Sequence, residues 1–130
     1  MTISTQDGRE GAAMPTIAVV LPWPHKSLSP NARVHHLAKG REVKKHRQWA
    51  RWATPARLHV EAERLSVAVT FNPPDERRRD RDNLMASVKS FLDGIADALG
   101  IDDSRFDLQA PVIGPVVKNG RVVVEVRGKE

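Results

Sequence analysis

Between a clean strand pattern and a clean helix pattern, this chain places eight consecutive charged residues, Asp75 to Asp82, the last six of them Arg77-Arg78-Arg79-Asp80-Arg81-Asp82. Charges at that density stay in water unless paired, so the run forces a surface crossing from one element to the next. Upstream, Leu65, Val67, Val69 and Phe71 alternate with smaller or polar residues, which predicts a strand with one buried face. Asn72-Pro73-Pro74-Asp75 ends it, because proline cannot donate to a ladder. Downstream, Leu84, Val88, Phe91, Leu92, Ile95 and Leu99 form a single apolar stripe over a predicted helix, Asn83 to Leu99. The charged run therefore lies just past a strand end, where loops carry contacts.

The acids inside the run are chemically informative. If the segment is extended, Asp80 and Asp82 point to the same face. Two like charges meeting there repel unless a cation or a shared proton neutralises them. A hard divalent ion such as Mg²⁺ would do so, since it takes one or two carboxylates plus substrate phosphates. Arg77, Arg78, Arg79 and Arg81 would hold a polyanion against that ion, so the local reading is phosphodiester chemistry. The competing role for Asp82 is a helix N-cap. On the helical wheel Lys89 and Asp93 each fall within roughly 20° of Asp82, away from the apolar stripe. Lys89 can thus lean over the acids, or simply pair with Asp93 four residues on. Gly100 is the predicted helix stop. Asp102 and Asp103 follow at once, at a helix end whose dipole prefers cations, so either turn chemistry or a shared metal explains them.

The rest of the chain supplies a basic surface and a sheet. Thr16 to Leu21 reads as a buried strand, stopped by Pro22-Trp23-Pro24, and residues 22–38 as a polar loop that includes Asn31 and Arg33. Residues 40–53 read as a helix with Val43, Trp49, Ala50, Trp52 and Ala53 toward the core and Lys44, Lys45, Arg47 and Arg51 mostly elsewhere. From Arg33 to Arg57 there are eight Lys/Arg against one acid, Glu42, a local +7 within a chain of formal charge +5. That face is either a DNA contact or a solvated surface. The chain ends in a predicted hairpin, Pro111–Val117 and Arg121–Arg127 joined by Asn119-Gly120, with Pro115 placing the first arm at an edge or bulge. The expected class is α+β, a single domain over 16–130 in β-α-β-α-β-β order, with a small mixed sheet packed by two helices. A polar segment, 1–15, is expected to be a disordered tail, with Met14 as an alternative start. Absence of cysteine excludes disulfides and thiolate metal sites and fits a reducing cytoplasm. No apolar run approaches the length of a membrane helix, so no membrane partner is expected.

With these residues assembled, the sequence resembles the RusA family of Holliday junction resolvases over about residues 17–127. The resemblance rests on Leu21-Pro22-Trp23-Pro24, Ser29-Pro30-Asn31-Ala32-Arg33 and the signature Arg78-Arg79-Asp80-Arg81-Asp82-Asn83-Leu84. It continues through Lys89, Asp93, Asp102-Asp103 and Lys118-Asn119-Gly120. It implies a RusA-like fold and a small homodimeric, bacterial or phage-encoded endonuclease that needs Mg²⁺, with Mn²⁺ as a substitute and no small-molecule cofactor. Its substrate would be four-way junctions or other branched DNA. It implies three metal-holding catalytic aspartates, Asp80, Asp82 and Asp103, with Lys89 as the catalytic lysine and Arg79 at the DNA. Lys89 departs from the best-known spacing: it lies two turns after Asp82, and Ala86 stands one turn after it. Arg77, Arg81, Asn31, Arg33, Lys44 and Lys45 are the further expected DNA contacts. Three rival readings of the same residues are a branched-DNA-binding protein without catalysis, a nuclease for flaps and forks, and an assembly protein in which the Arg/Asp run is a surface salt-bridge network.

Overall fold

The last strand of the chain, not an early one, is the centre of the fold. In the computed structural model, which describes residues 16–33, 35–55 and 62–129, β5 (Arg121–Lys129) lies between β1 (Ile17–Pro22) and β2 (Arg64–Asn72), antiparallel to both. Registration places three apolar side chains in each cross-strand row: Ile17, Val126 and Val67; Val19, Val124 and Val69; Leu21, Val122 and Phe71. All nine are buried. A period of two on every strand aims these residues at one face, where burial drives folding and pins the register.

That face is covered by helices. After β1, a 3-10 turn at Lys26–Leu28 leads to α1 (His36–Ala53). After β2 come α2 (Arg81–Ser87) and α3 (Lys89–Leu99), the latter carrying buried Phe91, Leu92, Ile95 and Leu99. The predicted stripe from Leu84 to Leu99 is buried as expected, but its helix is two helices. Val88, at φ −106° and ψ 10°, leaves the helical region, and the Ser87 hydroxyl donates to the Leu84 carbonyl at 2.6 Å. Such a local side-chain bond competes with the helical ladder and favours a break. Gly100 ends α3 in the left-handed region at φ 68°, with Ile101 N–H bonded back to the Ala96 carbonyl at 3.1 Å.

Two short strands complete the mixed sheet, β3 (Phe106–Leu108) and β4 (Val112–Ile113), each parallel to β2. Among the described residues the architecture is thus a small single-domain α+β fold with three α-helices, one more than the sequence suggests, and one more strand. The terminal hairpin is not formed: residues 111–117 follow β2, not β5. The reason is topological, since β5 already has a partner on each edge. The Asn119-Gly120 turn is present, with positive φ at both residues and Gly120 N–H bonded to the Val117 carbonyl at 2.7 Å. A Cβ on Gly120 would lie 2.9 Å from the Cβ of Trp23, so only glycine lets this turn pass beneath the indole.

The core side of α1 also differs from expectation. His46 and Ala50 are its buried centre and Trp49 is partly buried, while Val43 is exposed and Trp52 is 70% exposed. At about 100° per residue Trp52 points roughly 120° from His46 and 160° from Ala50, off the packed side. Of the remaining expectations, the tail over 1–15 and Arg57 lie outside the described residues. No helix among the described residues is long and apolar enough to cross a membrane.

His46 fastens the loop after β1 to α1. Its Nε2 accepts from the His25 backbone N–H at 3.1 Å and its Nδ1 donates to the Glu42 carbonyl at 2.7 Å, which specifies a neutral ring. Phe91 stacks on the ring at 5.1 Å and Trp49 tilts against it at 4.8 Å. Burial pushes its pKa below the ordinary 6.5 despite the nearby Glu42. In the unfolded chain the ring takes a proton near 6.5, whereas the folded ring resists, so stability falls as pH drops below that value. The melting temperature should be level above about pH 7 and decline toward pH 5, before the carboxylates titrate. In His46→Gln that decline should be absent; an unchanged slope would place the titration elsewhere.

Candidate functional site

The charged run is held by its own first residues and by the loop after β1. Where Pro73-Pro74 ends β2, the Asp75 carboxylate accepts from Arg77 N–H and from the Arg79 guanidinium, each at 2.9 Å. These bonds hold the Asp75 carboxyl below its usual pKa. Arg79 also donates to the carbonyls of Asp75 and Arg77, at 3.1 and 2.9 Å. Its guanidinium lies over the Trp23 ring at 5.2 Å, and Trp23 meets Phe71 edge-on at 6.1 Å. Only 14% of the Arg79 side chain is exposed, against 77% for Arg77. Arg79 is therefore a strut that shapes the run, and Arg77, Arg78 and Arg81 are its exposed cations. A groove opens between the run and the loop, lined by Trp23, Lys26 and Ser29 on one side and Arg77, Arg78, Asp80 and Asn83 on the other.

Asp80, not Asp82, caps α2. Its Oδ1 accepts from Asn83 N–H at 3.0 Å, while Asp82 sits exposed in the first turn. The extended segment expected to align the two side chains is thus only half extended: Asp80 has β dihedrals but Asp82 is helical. Successive helical positions diverge, so spacing by two does not make the carboxylates converge. Both acids favour the helix N-terminus electrostatically.

The pair after α3 divides its labour. Asp102 accepts from Ser104 N–H at 3.0 Å and caps a 3-10 turn; the Ser104 side chain first, then this N–H, lower its pKa. Asp103 is left facing Lys89, whose ammonium donates to Asp103 Oδ2 at 3.1 Å and to Asp93 Oδ1 at 2.8 Å. Asp93 first, then Asp103, raise the Lys89 pKa, so the lysine is a fixed cation at neutral pH. The helix itself brings Asp93 to Lys89, four residues on, while the 14-residue separation to Asp103 is closed by the return of the chain after α3. Mg²⁺ asks for oxygen donors converging at about 2.0–2.1 Å. Among the described residues no three Asp, Glu or His side chains come close enough to hold a metal. Asp80 serves a cap and Asp103 a lysine. As they stand, Asp80, Asp82 and Asp103 do not form a cage for Mg²⁺ or Mn²⁺.

The other expected contacts lie farther along the surface. Asn31 and Arg33 are exposed in the loop before α1. Lys44 is exposed on α1, while Lys45 bonds Glu42 at 3.3 Å and lies over Trp49 at 5.4 Å. Sequence reasoning missed Asp75 and Trp23 as the holders of Arg79, and missed the bidentate pair Arg47–Asp97, at 2.6 and 2.9 Å across 50 residues. The only available signal for the second was a helical one, since Asp97 falls one turn after Asp93 on α3.

No family model matches the chain. A protein of Xylella fastidiosa (strain Temecula1 / ATCC 700964), described only as an uncharacterized protein, is 44% identical over 117 residues. The match covers 85% of this chain and 76% of the relative.

Proposed function

This chain belongs to the same family as that uncharacterized Xylella protein, and we propose that it is a structure-selective endodeoxyribonuclease of the RusA type. It cuts four-way junctions in the cytoplasm of a bacterial host, as a host or phage product, by paired nicks within a homodimer. The observation that supports this reading best is the contact of Lys89, the first residue of α3, with Asp103, two signature residues 14 apart in sequence. The second support is the groove beside Asp80, edged by Arg77, Arg78 and Lys26. Arg77 and Arg81 bind backbone phosphates without reading bases. Arg79, locked by Asp75 and Trp23, keeps the run in the shape that presents them. Lys89 offers positive charge to a phosphate oxygen that gains negative charge in the transition state. Mg²⁺, or Mn²⁺ in its place, belongs to the proposal through the resemblance alone, and holding it would require Asp103 to exchange Lys89 for the ion.

A panel of end-labelled substrates tests the reading. Four-way junctions should be nicked in Mg²⁺ far faster than flaps, forks or plain duplex of the same sequence. Preference for flaps or forks would move the enzyme to another branched substrate. The second reading, a branched-DNA-binding protein without catalysis, is favoured by the engagement of Asp80 and Asp103 by other groups. Tight junction binding with no nick at any divalent ion concentration would establish it.

A further inference from the structure

The outer side of α1 carries a feature the junction reading does not use. Trp52 is 70% exposed, although an indole is among the largest apolar groups a chain can bury. Its neighbour in sequence order, Trp49, is by contrast packed against the core. At about 100° per residue, Arg41, Lys44, Gln48, Arg51 and Trp52 share an outer arc of roughly 100°, opposite His46 and Ala50. Every member of that arc is exposed. Trp52, Lys44, Gln48 and Arg51 also line a groove together with Arg47 and, from α3, Asp97. The one acid among its described lining residues, Asp97, is already engaged by Arg47, so these residues make a basic groove with an aromatic wall.

An aromatic face among cations suits one class of ligand. Every nucleobase has a π-face that stacks on an indole, and its phosphates meet the cations whatever the sequence. Fully paired duplex hides those faces, so the platform distinguishes unpaired from paired DNA. Position strengthens the argument. Asp97 lies four residues, about 6 Å, beyond Asp93 on α3, and Asp93 shares Lys89 with Asp103. The groove is thus one helical turn from the proposed site.

We propose that the Trp52 face of α1 is a stacking platform for an unpaired nucleobase, with Lys44 and Arg51 holding the adjoining phosphates. The inference rests on the reading that this chain acts on DNA, and it adds how an opened branch point is held beside the cutting residues.

The test is fluorescence anisotropy with the full chain and two labelled probes of equal length, a single-stranded oligonucleotide and a fully paired duplex. Trp52→Ala should weaken single-strand binding by about 5- to 100-fold, the scale of one lost base–aromatic stack. Duplex binding should change less than twofold, and Trp52→Phe should recover most of the single-strand affinity. Single-strand DNA should also quench the intrinsic fluorescence of the wild type more than that of Trp52→Phe, which keeps Trp23 and Trp49. Equal losses on both probes would overturn the platform, as would no loss on either. A change in sedimentation of Trp52→Ala with unchanged affinities would instead make Trp52 a contact between copies of the chain, and the proposal would fail. A wild type that binds junctions normally while Trp52→Ala is silent sinks only the platform; a wild type that binds no DNA sinks the nuclease reading as well.

Discussion

Replacing Asp80 by Asn is expected to abolish junction cleavage while leaving the fold unharmed. The structure makes this a clean substitution. Asp80 Oδ1 accepts from Asn83 N–H at the start of α2, and the Asn side-chain oxygen can accept the same bond. As N-caps, Asn and Asp rank alike, whereas Ala costs about 1 kcal/mol. The melting temperature of Asp80→Asn should therefore match the wild type, and Asp80→Ala should melt a few degrees lower. Cleavage should fall at least about a hundredfold in both, the scale on which one preorganised electrostatic group matters in an active site. Junction affinity should hold or tighten, because one negative charge facing phosphate has gone. If Asp80→Asn cleaves like the wild type and only Asp80→Ala is impaired, the carboxylate is a cap and nothing more.

The second large effect is on stability, at Gly94. Exchanging a helical glycine for alanine ordinarily favours folding by about 0.5–1 kcal/mol. Here the sign reverses. A Cβ on Gly94 would run into the backbone carbonyl of Arg47 and lie 2.9 Å from the Cβ of Ala50. The obstacle is the backbone of α1, which no rotamer change can move aside. Helices α1 and α3 would have to separate, which loosens the Phe91 stack on His46 and the Arg47–Asp97 pair together. Overpacking of this kind costs about 1–3 kcal/mol, more when backbone must shift. Gly94→Ala should melt about 10 °C lower, and chemical denaturation should give the matching loss. A melting temperature at or above that of the wild type would mean that the two helices do not cross at this residue.

How much of this was legible beforehand follows from the range of each interaction. Strand β2 and the stripe from Leu84 to Leu99 were readable because their periodicity is local and strong. The break at Val88 was not, because the stripe stays in phase across it and the cause is one hydroxyl bond of Ser87. The pairing of 111–117 with β2 was hidden by a turn signal at Asn119-Gly120 that is real but does not say which strands its flanks join. Periodicity placed Trp49 and Trp52 on one side of α1; only the position of α3 decides which of the two it covers. In the site, the residue types were legible and their partners were not. Asp102 and Asp103 look alike in sequence, yet one caps a turn and the other meets Lys89. Likewise nothing local said that Arg79 would be taken up by Asp75 and Trp23 while Arg77 stays exposed.

The most direct measurement of the central claim is a single-turnover assay on a doubly end-labelled synthetic four-way junction, run in Mg²⁺ and in EDTA. The account predicts two symmetric nicks in Mg²⁺, none in EDTA, and none from Asp103→Asn under either condition. A junction that is bound in Mg²⁺ at saturating protein yet stays intact, or that is nicked equally by Asp103→Asn, would contradict it.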